Sequence, residues 1–232
     1  MGYKLTWMYI WQQKIRPSGW GRWQPWANTI AYYPLTSTTT TSDESGNWNT
    51  LTNNNVTFWT YQWVDCASFN GSSSRLGTTI AETPQWASPR TILWYCYNNN
   101  ASYTPSNDSE IVFFSWQTGS TWRMLKLGIF DDNNTIQQRW DDHEFWQTIR
   151  EQRWGGAVVY DGTKFTLYAN WVSQWDWTTT AITSWTNFYI GGSTTSWWWW
   201  NGYISNVIFE NKARTAQEVA DYYNQTKANY GL

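Results

Sequence analysis

The chain has few charged and ionisable side chains. Asp, Glu, Lys and Arg make up only 14% of its 232 residues, the formal net charge is −2, and there is one histidine. This composition provides no basic surface for nucleic acid, and a single histidine excludes a zinc site built from several histidines. No apolar run approaches the ~20 residues that a membrane-spanning helix needs. The N-terminal segment also lacks the basic start and apolar stretch of a secretory signal.

Cysteine is scarce as well. Cys66 and Cys96 are the only two, too few for a fold that depends on a disulfide framework. Each lies in an apolar, strand-like run, which is typical of a small buried side chain. The pair would also suit one disulfide across the core if the two Cα atoms lay within ~7 Å. The sequence leaves both alternatives open.

Short apolar or β-branched runs, separated by polar turns, fill the chain from residue 28 onward. Turn signals such as Asn70-Gly71, Asp161-Gly162 and Asn201-Gly202 separate several of them. This regular spacing predicts an all-β sandwich of two sheets. The predicted strands are 29–35, 64–69, 90–97, 110–116, 124–130, 156–160, 164–169, 187–190 and 203–209.

The two ends of the chain differ from this pattern. Thr215 and Glu218 form a capping box ahead of apolar residues at helical spacing, which predicts one short C-terminal helix. Residues 1–27 resemble a small hairpin arm followed by a linker rich in Pro, Gly and Trp. A two-stranded hairpin alone is marginal in water. We therefore expect this arm to pack on the main domain, residues 28–232, or on another protein.

Four segments together resemble one known family. Residues 201–219 are similar to the closing strand and helix of concanavalin A-like, laminin G-like domains, and residues 154–170 to their long central hairpin. Residues 43–47 and 67–74 resemble their early segments. The resemblance implies a two-sheet jelly roll that binds carbohydrate or protein surfaces, often with calcium, and it does not imply catalysis. Asn206 departs from the family because that position is often acidic.

Tryptophan is the most unusual component, at 23 residues. Trp171 follows Asn170 where a two-residue hairpin turn needs φ > 0 at both central positions, and glycine is the usual residue there. Trp48 raises the same question in the run Gly46-Asn47-Trp48-Asn49. Most tryptophans lie in turns among Gly, Asn, Ser and Thr, which argues against a role in filling the core.

Two interpretations of the tryptophans stay open. In the first, the run Trp197, Trp198, Trp199 and Trp200 forms an exposed aromatic platform that binds a ligand. In the second, UGA codons that some bacteria and their viruses read as glycine are printed as tryptophan. Converting about twenty positions would raise glycine to ~15%, about twice the usual share, which argues against the idea. Recoding predicts that most tryptophans are exposed at loops, several with φ > 0, with Trp154 the best candidate for a genuine tryptophan.

Few motifs indicate catalysis or metal binding. Asp131, Asp132, Asn133 and Asn134 are candidate calcium ligands, although four such residues are also typical of any hairpin loop. Hydrolases of the sandwich class use paired carboxylates on alternate residues of a strand, and no Glu-x-Asp-x-x-Glu run occurs here. The segment 141–144, which holds the only histidine, is interpreted as a solvated loop.

The leading hypothesis is a non-enzymatic recognition or adhesion module that binds glycan or protein through loops at one sandwich edge. Its expected location is extracellular, on a cell surface or on a virion. The alternative is a structural subunit of a virion, tail fibre or surface layer, in which residues 1–27 dock the protein or assemble a homo-oligomer. A glycoside hydrolase is a third, disfavoured alternative. Calcium is the only candidate cofactor.

Overall fold

The computed structural model describes residues 25–85, 87–99, 109–114, 125–130, 135–138, 143–146, 153–178, 186–192 and 199–232. The strands are β1 (Thr29–Tyr33), β2 (Thr52–Asn54), β3 (Thr57–Tyr61), β4 (Val64–Asn70), β5 (Arg75–Thr79), β6 (Arg90–Asn98), β7 (Ser109–Phe114), β8 (Leu125–Phe130), β9 (Thr135–Gln138), β10 (His143–Trp146), β11 (Arg153–Tyr160), β12 (Lys164–Ala169), β13 (Val172–Thr178), β14 (Asn187–Ile190) and β15 (Asn201–Glu210). Helix α1 (Ala216–Thr226) and a 3-10 helix (Lys227–Tyr230) follow.

The strands form two antiparallel sheets. The first sheet has the order β13-β12-β11-β6-β15-β4-β3, and β1 also pairs with β15. The second sheet has the order β10-β9-β8-β7-β14-β5-β2. The predicted two-sheet β-sandwich with one short C-terminal helix is therefore confirmed. Most of the predicted N-terminal arm lies outside the described residues, and the domain boundary at residue 27 stays a prediction.

Strand alternation divides the side chains of the first sheet between two faces. On β6, Trp94 and Cys96 enter the core between the sheets, whereas Leu93 and Tyr95 point to the outer face. The core is completed from the second sheet by residues such as Phe188. Apolar burial of this kind supplies the main favourable free energy of folding.

Helix α1 covers part of the outer face of the first sheet. Val219 and Tyr222 are buried against Leu93, Tyr95 and other residues of that face. The predicted capping box is confirmed, because the Thr215 hydroxyl accepts from the Glu218 N–H and the Glu218 carboxylate accepts from the Thr215 N–H. Among the described residues, no helix has the length and apolar character that crossing a bilayer would require.

Both cysteines are buried free thiols, so the disulfide alternative is excluded. Ile204 on β15 pairs with Ala67 on one side and with Cys96 on the other, which places those residues on the core face. Cys66, the neighbour of Ala67, therefore points to the outer face. Burial raises the pKa of the Cys66 thiol to about 11, so it is protonated at neutral pH.

Three tryptophans adopt the left-handed backbone conformation. Asn170 and Trp171 have φ values of 45° and 66°, which confirms the predicted turn with φ > 0 at both central positions. Gln62 and Trp63 repeat this geometry between β3 and β4, with φ values of 45° and 72°. Trp48 has a φ of 63°. Such values are outliers for a bulky side chain and strain the backbone by roughly 1–2 kcal/mol each.

The burial of the tryptophans only partly matches the expectation that most are exposed at loops. Trp48 and Trp63 are 86% and 97% exposed in turns, as expected. In contrast, four tryptophans are buried: Trp94, Trp154, Trp171 and Trp200.

Candidate functional site

The predicted tryptophan platform is not one continuous exposed surface. Trp200 is fully buried in the core, and its backbone hydrogen-bonds Gly191 and Gly71. It therefore cannot present its ring to a ligand, which corrects the prediction for this residue. Trp199 is half-buried, and its ring lies 5.8 Å from the Arg75 guanidinium. Trp197 and Trp198 lie outside the described residues.

The predicted calcium ligands Asp131, Asp132, Asn133 and Asn134 also lie outside the described residues. Within the part of the chain that the structure describes, no group of three or more His, Cys, Asp or Glu side chains could hold a metal ion. His143 and Glu144, interpreted from sequence as part of a loop, belong to strand β10, which pairs with β9.

The acidic turn at residues 43–45 has a structural role. The Asp43 carboxylate accepts hydrogen bonds from the backbone N–H groups of Tyr32, Ser45 and Asn49. Asn47 donates back to the carbonyl of Ile30. These contacts fix the loop on strand β1 and leave Asp43 engaged with the backbone.

A cluster of aromatic side chains lies on the outer face of the first sheet, beyond the area that α1 covers. Tyr97 on β6 is paired directly with Tyr203 on β15. Trp59 and Tyr61 alternate along β3 and share that face, because Trp59 pairs with the outward-pointing Cys66. We name the three half-buried tyrosines Tyr61, Tyr97 and Tyr203 the tyrosine surface.

The rings of the tyrosine surface pack on one another. Tyr61 stacks on Tyr203 with centroids 4.2 Å apart, and Tyr97 lies 5.1 Å from Tyr61. Trp59, which is 49% exposed, extends the group at 5.9 Å from Tyr203. Stacked aromatic side chains form a rigid platform that offers apolar area and phenol hydroxyl groups at a low cost in conformational entropy.

Arg153 provides a positive charge at the edge of the tyrosine surface. Its guanidinium lies 5.5 Å from the centroid of the Tyr61 ring, and its Nη2 donates to the carbonyls of Tyr61 (2.6 Å) and Gln62 (3.2 Å). Its Nη1 lies 3.5 Å from the carbonyl of Tyr230 in the 3-10 helix. Arg153 thus joins the β3–β4 turn to the C-terminal segment.

A small open pocket lies between the tyrosine surface and the C-terminal segment. Within the described part of the chain its lining includes no acidic residue and consists of Tyr61, Val64, Cys66, Tyr95, Cys96, Tyr97, Arg153, Trp154, Tyr203, Ser205 and Tyr230. Burial lowers the pKa of Arg153, partly opposed by neighbouring Cys66, Tyr61 and Tyr97, but an arginine still stays protonated. Burial also raises the pKa of Tyr203, which keeps its phenol neutral. The site is therefore aromatic, hydroxyl-bearing and positive.

Sequence reasoning did not find the tyrosine surface, although one signal for it was present. Aromatic residues two positions apart at 59 and 61 and at 95 and 97 indicate strands with one aromatic face. Strand β3 itself was not predicted. Pairing across β3, β4, β15 and β6 brings these faces together, and that pairing is not visible in the sequence.

The neighbouring half of the same face is covered by α1 and by the ion pair of Arg214 and Glu210 that precedes the helix. The Arg214 guanidinium binds the buried Glu210 carboxylate through two contacts of 2.5 and 2.7 Å, and it lies 3.4 Å from the Trp26 ring centroid. Asn206, the departure from the family pattern, adopts a φ of 55° and donates its amide to the Tyr222 hydroxyl. We name this region the covered half.

Comparison with known proteins supports the fold and gives no closer assignment. No family model matches the chain, and no curated protein matches it. Domain 4 of AbnA, a GH43 extracellular arabinanase from Geobacillus stearothermophilus solved in complex with arabinotriose, aligns over 84% of this chain and 97% of its own. The TM-score is 0.62 at 16% identity.

Toxin binding domains give similar scores. The binding domain of botulinum neurotoxin DC in complex with SialylT aligns with a TM-score of 0.63 at 13% identity and covers 85% of this chain. The binding domain of Paraclostridial Mosquitocidal Protein 1 gives 0.63 at 14% identity and also covers 85%. The chain spans about half of these structures, 51% and 52%. At these identities the likeness shows the fold, a β-sandwich found in binding domains of other proteins.

Proposed function

We propose that this protein is a non-enzymatic binding module that recognises saccharide through the tyrosine surface. The observation that carries the proposal is the cluster of Tyr61, Tyr97 and Tyr203, which stays accessible on a sheet face that helix α1 covers only in part. Exposed aromatic clusters with polar tips are typical of ligand-binding surfaces. The similar structures include one solved with arabinotriose and one with SialylT, which is consistent with this class of ligand.

The chemistry of the site favours binding over catalysis. Retaining hydrolysis of a glycoside needs two carboxyl groups ~5 Å apart, whereas the pocket beside the tyrosine surface has no Asp or Glu among its described lining residues. We therefore propose that the bound saccharide is released unchanged. Incubation with labelled oligosaccharides and chromatography of the products would detect cleavage, which would contradict this part of the proposal.

A glycan array followed by calorimetry tests the binding proposal. Tyr203→Ala should weaken the binding of any saccharide found by about tenfold, equivalent to ~1.4 kcal/mol. Tyr189→Ala is the matched control, because Tyr189 is also a half-buried tyrosine but lies on β14 of the second sheet. An array with no bound saccharide, or equal losses in the two variants, would contradict the proposal.

The finer features of the family resemblance are also proposals. We propose that the chain is laminin G-like, that it works outside the cell or on a virion, and that Asp131, Asp132, Asn133 and Asn134 hold calcium. Trp197, Trp198 and Trp199 remain proposed contacts for a second part of the ligand. A calcium titration followed by thermal unfolding tests the metal site, and an unchanged Tm would contradict it.

A structural role is the alternative function, and one contact favours it. Trp26, at the start of the described chain, packs on Arg214 and lies 6.0 Å from Tyr222. Trp26 itself is thus held at a fixed point on the domain. We propose that residues 1–27 dock the domain on a partner or on a second copy. Unchanged oligomeric state and assembly after deletion of residues 1–25 would contradict this.

We further propose that positions 48, 63 and 171 are glycine in the protein made by its native host. All three tryptophans have a φ between 63° and 72°, which favours glycine. Mass spectrometry of the peptide that contains Asn170 gives the residue at 171 directly, and a tryptophan there would contradict the proposal. Tyr61, Tyr97, Tyr203 and Arg153 do not depend on the outcome.

A further inference from the structure

We infer that Arg153 selects a saccharide that carries a carboxylate, such as a uronic or sialic acid unit, at the tyrosine surface. The inference rests on the proposed saccharide-binding function and adds the charge of the ligand. It starts from a guanidinium without an ion pair: Arg153 has no carboxylate within 4.0 Å among the described residues, whereas Lys164 and Lys212 each have one and Arg214 has two.

The backbone contacts of Arg153 position its charge without neutralising it. Three carbonyl groups, of Tyr61, Gln62 and Tyr230, accept from Nη1 and Nη2. A carbonyl carries only a partial charge, so the positive charge stays available. Of the five N–H groups of a guanidinium, the one on Nε and one on Nη1 make no hydrogen bond within the described part of the chain.

The surroundings strengthen an ion pair at this position. Arg153 is half-buried beside stacked aromatic rings, and a charged pair that is partly removed from water interacts more strongly than one in bulk solvent. Asp65 is close in sequence to the site, but it is the neighbour of the outward-pointing Cys66 on β4 and therefore points to the other side of the sheet. Its carboxylate accepts a hydrogen bond from the Thr60 hydroxyl at 2.6 Å. The described residues that line the pocket include no acidic side chain, so none of them repels a carboxylate.

The aromatic rings supply the second half of the recognition. Tyr61 lies between Arg153 and Tyr203, 5.5 Å from the guanidinium and 4.2 Å from the neighbouring ring. A sugar ring placed over the tyrosine surface can thus keep its carboxylate within reach of Arg153. A charge-assisted hydrogen bond is roughly twice as strong as a neutral one, so the acid should bind better than an uncharged sugar of the same shape.

Titration calorimetry with two matched ligand pairs tests the inference. The first pair is tri-galacturonic acid and its methyl ester, and the second is sialyllactose and lactose, so that uronic and sialic acids are distinguished. We expect at least one acid to bind about tenfold more tightly than its uncharged partner. Raising the ionic strength from 0.05 to 0.5 M should reduce this preference, because salt screens the charge pair.

Substitutions assign the preference to Arg153. Arg153→Gln should bring acid and uncharged partner to the same Kd, and Arg153→Lys should restore part of the preference because it keeps the charge. Urea unfolding of both variants checks that the β3–β4 turn remains folded, and the salt dependence of the unmodified protein tests the charge without any substitution.

The outcomes separate this inference from the function on which it rests. Equal binding of acid and ester, with both weakened by Tyr203→Ala, would overturn the role of Arg153 and retain the saccharide-binding function. A preference for acid that persists in Arg153→Gln would also overturn the role of Arg153. No binding of any saccharide would overturn both proposals.

Discussion

Tyr95 and Tyr97 lie two residues apart on β6 and point to the same side of the sheet, but only Tyr95 is covered by α1. The Tyr95 side chain is 2% exposed, its hydroxyl hydrogen-bonds the Thr226 hydroxyl at 2.6 Å, and its ring stacks on Tyr230 at 3.9 Å. Tyr97 is half-buried and packs on Tyr61 and Tyr203. Contacts with the C-terminal segment therefore distinguish a tyrosine that stabilises the fold from one that meets solvent.

The two regions differ in how their polar groups are used. In the covered half, the hydroxyl of Tyr95 and the side chains of Arg214 and Glu210 are engaged with other groups of the domain. At the tyrosine surface, Arg153 contacts only backbone carbonyls and the Gln62 amide oxygen among hydrogen-bond acceptors of the described chain. The comparison indicates that one half maintains the structure and the other is available for a ligand.

Removing the Arg214 side chain should produce the largest loss in the free energy of unfolding. Arg214→Ala leaves the Glu210 carboxylate, which is fully buried, with only a weak contact of 3.5 Å from the Thr29 hydroxyl. An uncompensated buried charge costs about 3–5 kcal/mol, and we expect that loss in the free energy of urea unfolding at pH 7. Lys164→Ala is the control, because its ion pair with Asp176 is exposed and should contribute little to stability. Equal losses would contradict the assigned role of Arg214.

Removing one tyrosine from each region should show how differently the two regions contribute to stability. Tyr222 lies on the buried side of α1 and is 1% exposed, so Tyr222→Ala should lower the free energy of unfolding by about 3 kcal/mol through the cavity it leaves. Tyr203→Ala, at a half-buried position, should cost less than about 1.5 kcal/mol. Saccharide binding should show the opposite order: Tyr203→Ala should weaken binding more than Tyr222→Ala does. The Tyr222 variant must be measured under conditions in which it is folded. A reversal of the stability order would contradict the division of the face.

Acid should weaken the covered half through Glu218. Partial burial raises the pKa of this carboxyl, but hydrogen bonds from Lys212 and the Thr215 N–H, with the charge of Arg214, lower the pKa to about 2. Because the folded pKa lies below the ordinary 4.5, the stabilisation is complete above pH 4.5 and is lost as the pH falls towards 2. After allowance for solvent screening we expect a loss of about 1–2 kcal/mol from this group.

The Glu218→Gln variant isolates this contribution. Its free energy of unfolding should fall less steeply than that of the unmodified protein between about pH 5 and pH 2. The difference between the two curves is the quantity to measure, because burial raises the pKa of Glu210 in spite of Arg214 and so favours the folded state at low pH. Parallel curves would show that Glu218 is not coupled to folding.

The smallest change in the free energy of unfolding is expected at the β3–β4 turn, beside the tyrosine surface. Trp63 is 97% exposed with a φ of 72°, so Trp63→Gly should remove backbone strain and raise the free energy of unfolding by about 1 kcal/mol. Trp59→Gly is the control, because Trp59 is exposed on strand β3 without a positive φ, and glycine there should lower stability. Thermal unfolding measures both. A loss of stability in Trp63→Gly would count against glycine at this position.

Local chemistry was predictable from sequence where a few adjacent residues determine it. Thr215 and Glu218 predicted the start of α1 because both halves of a capping box lie within one turn. The positive φ of Asn170 and Trp171 followed from the demands of a two-residue turn. Strand β11 begins at Arg153, three residues before the predicted start at Gly156, and so includes Gly155 as well as Gly156. In the fold they make room for the rings of Trp171 and Trp94, which lie 2.5 and 2.3 Å from where a Cβ would stand.

The site was less predictable because it depends on contacts between distant segments. Trp200 was predicted to be exposed from its polar neighbours, yet strand β15 begins beside it and its ring enters the core. The tyrosine surface joins Tyr203 to residues that are more than 100 positions away in the chain, and these residues are not among those buried with α1. Nothing in the local sequence specifies either fact.

The positions of the two thiols have a consequence for how the domain can be produced. Cys66 and Cys96 face opposite sides of one sheet, so no oxidant can join them within a folded molecule. Maturation then needs neither a disulfide isomerase nor an oxidising compartment, and the same sandwich can form in a reducing cytosol or outside the cell. Adding a reductant to the refolding buffer should accordingly leave the yield of native protein unchanged.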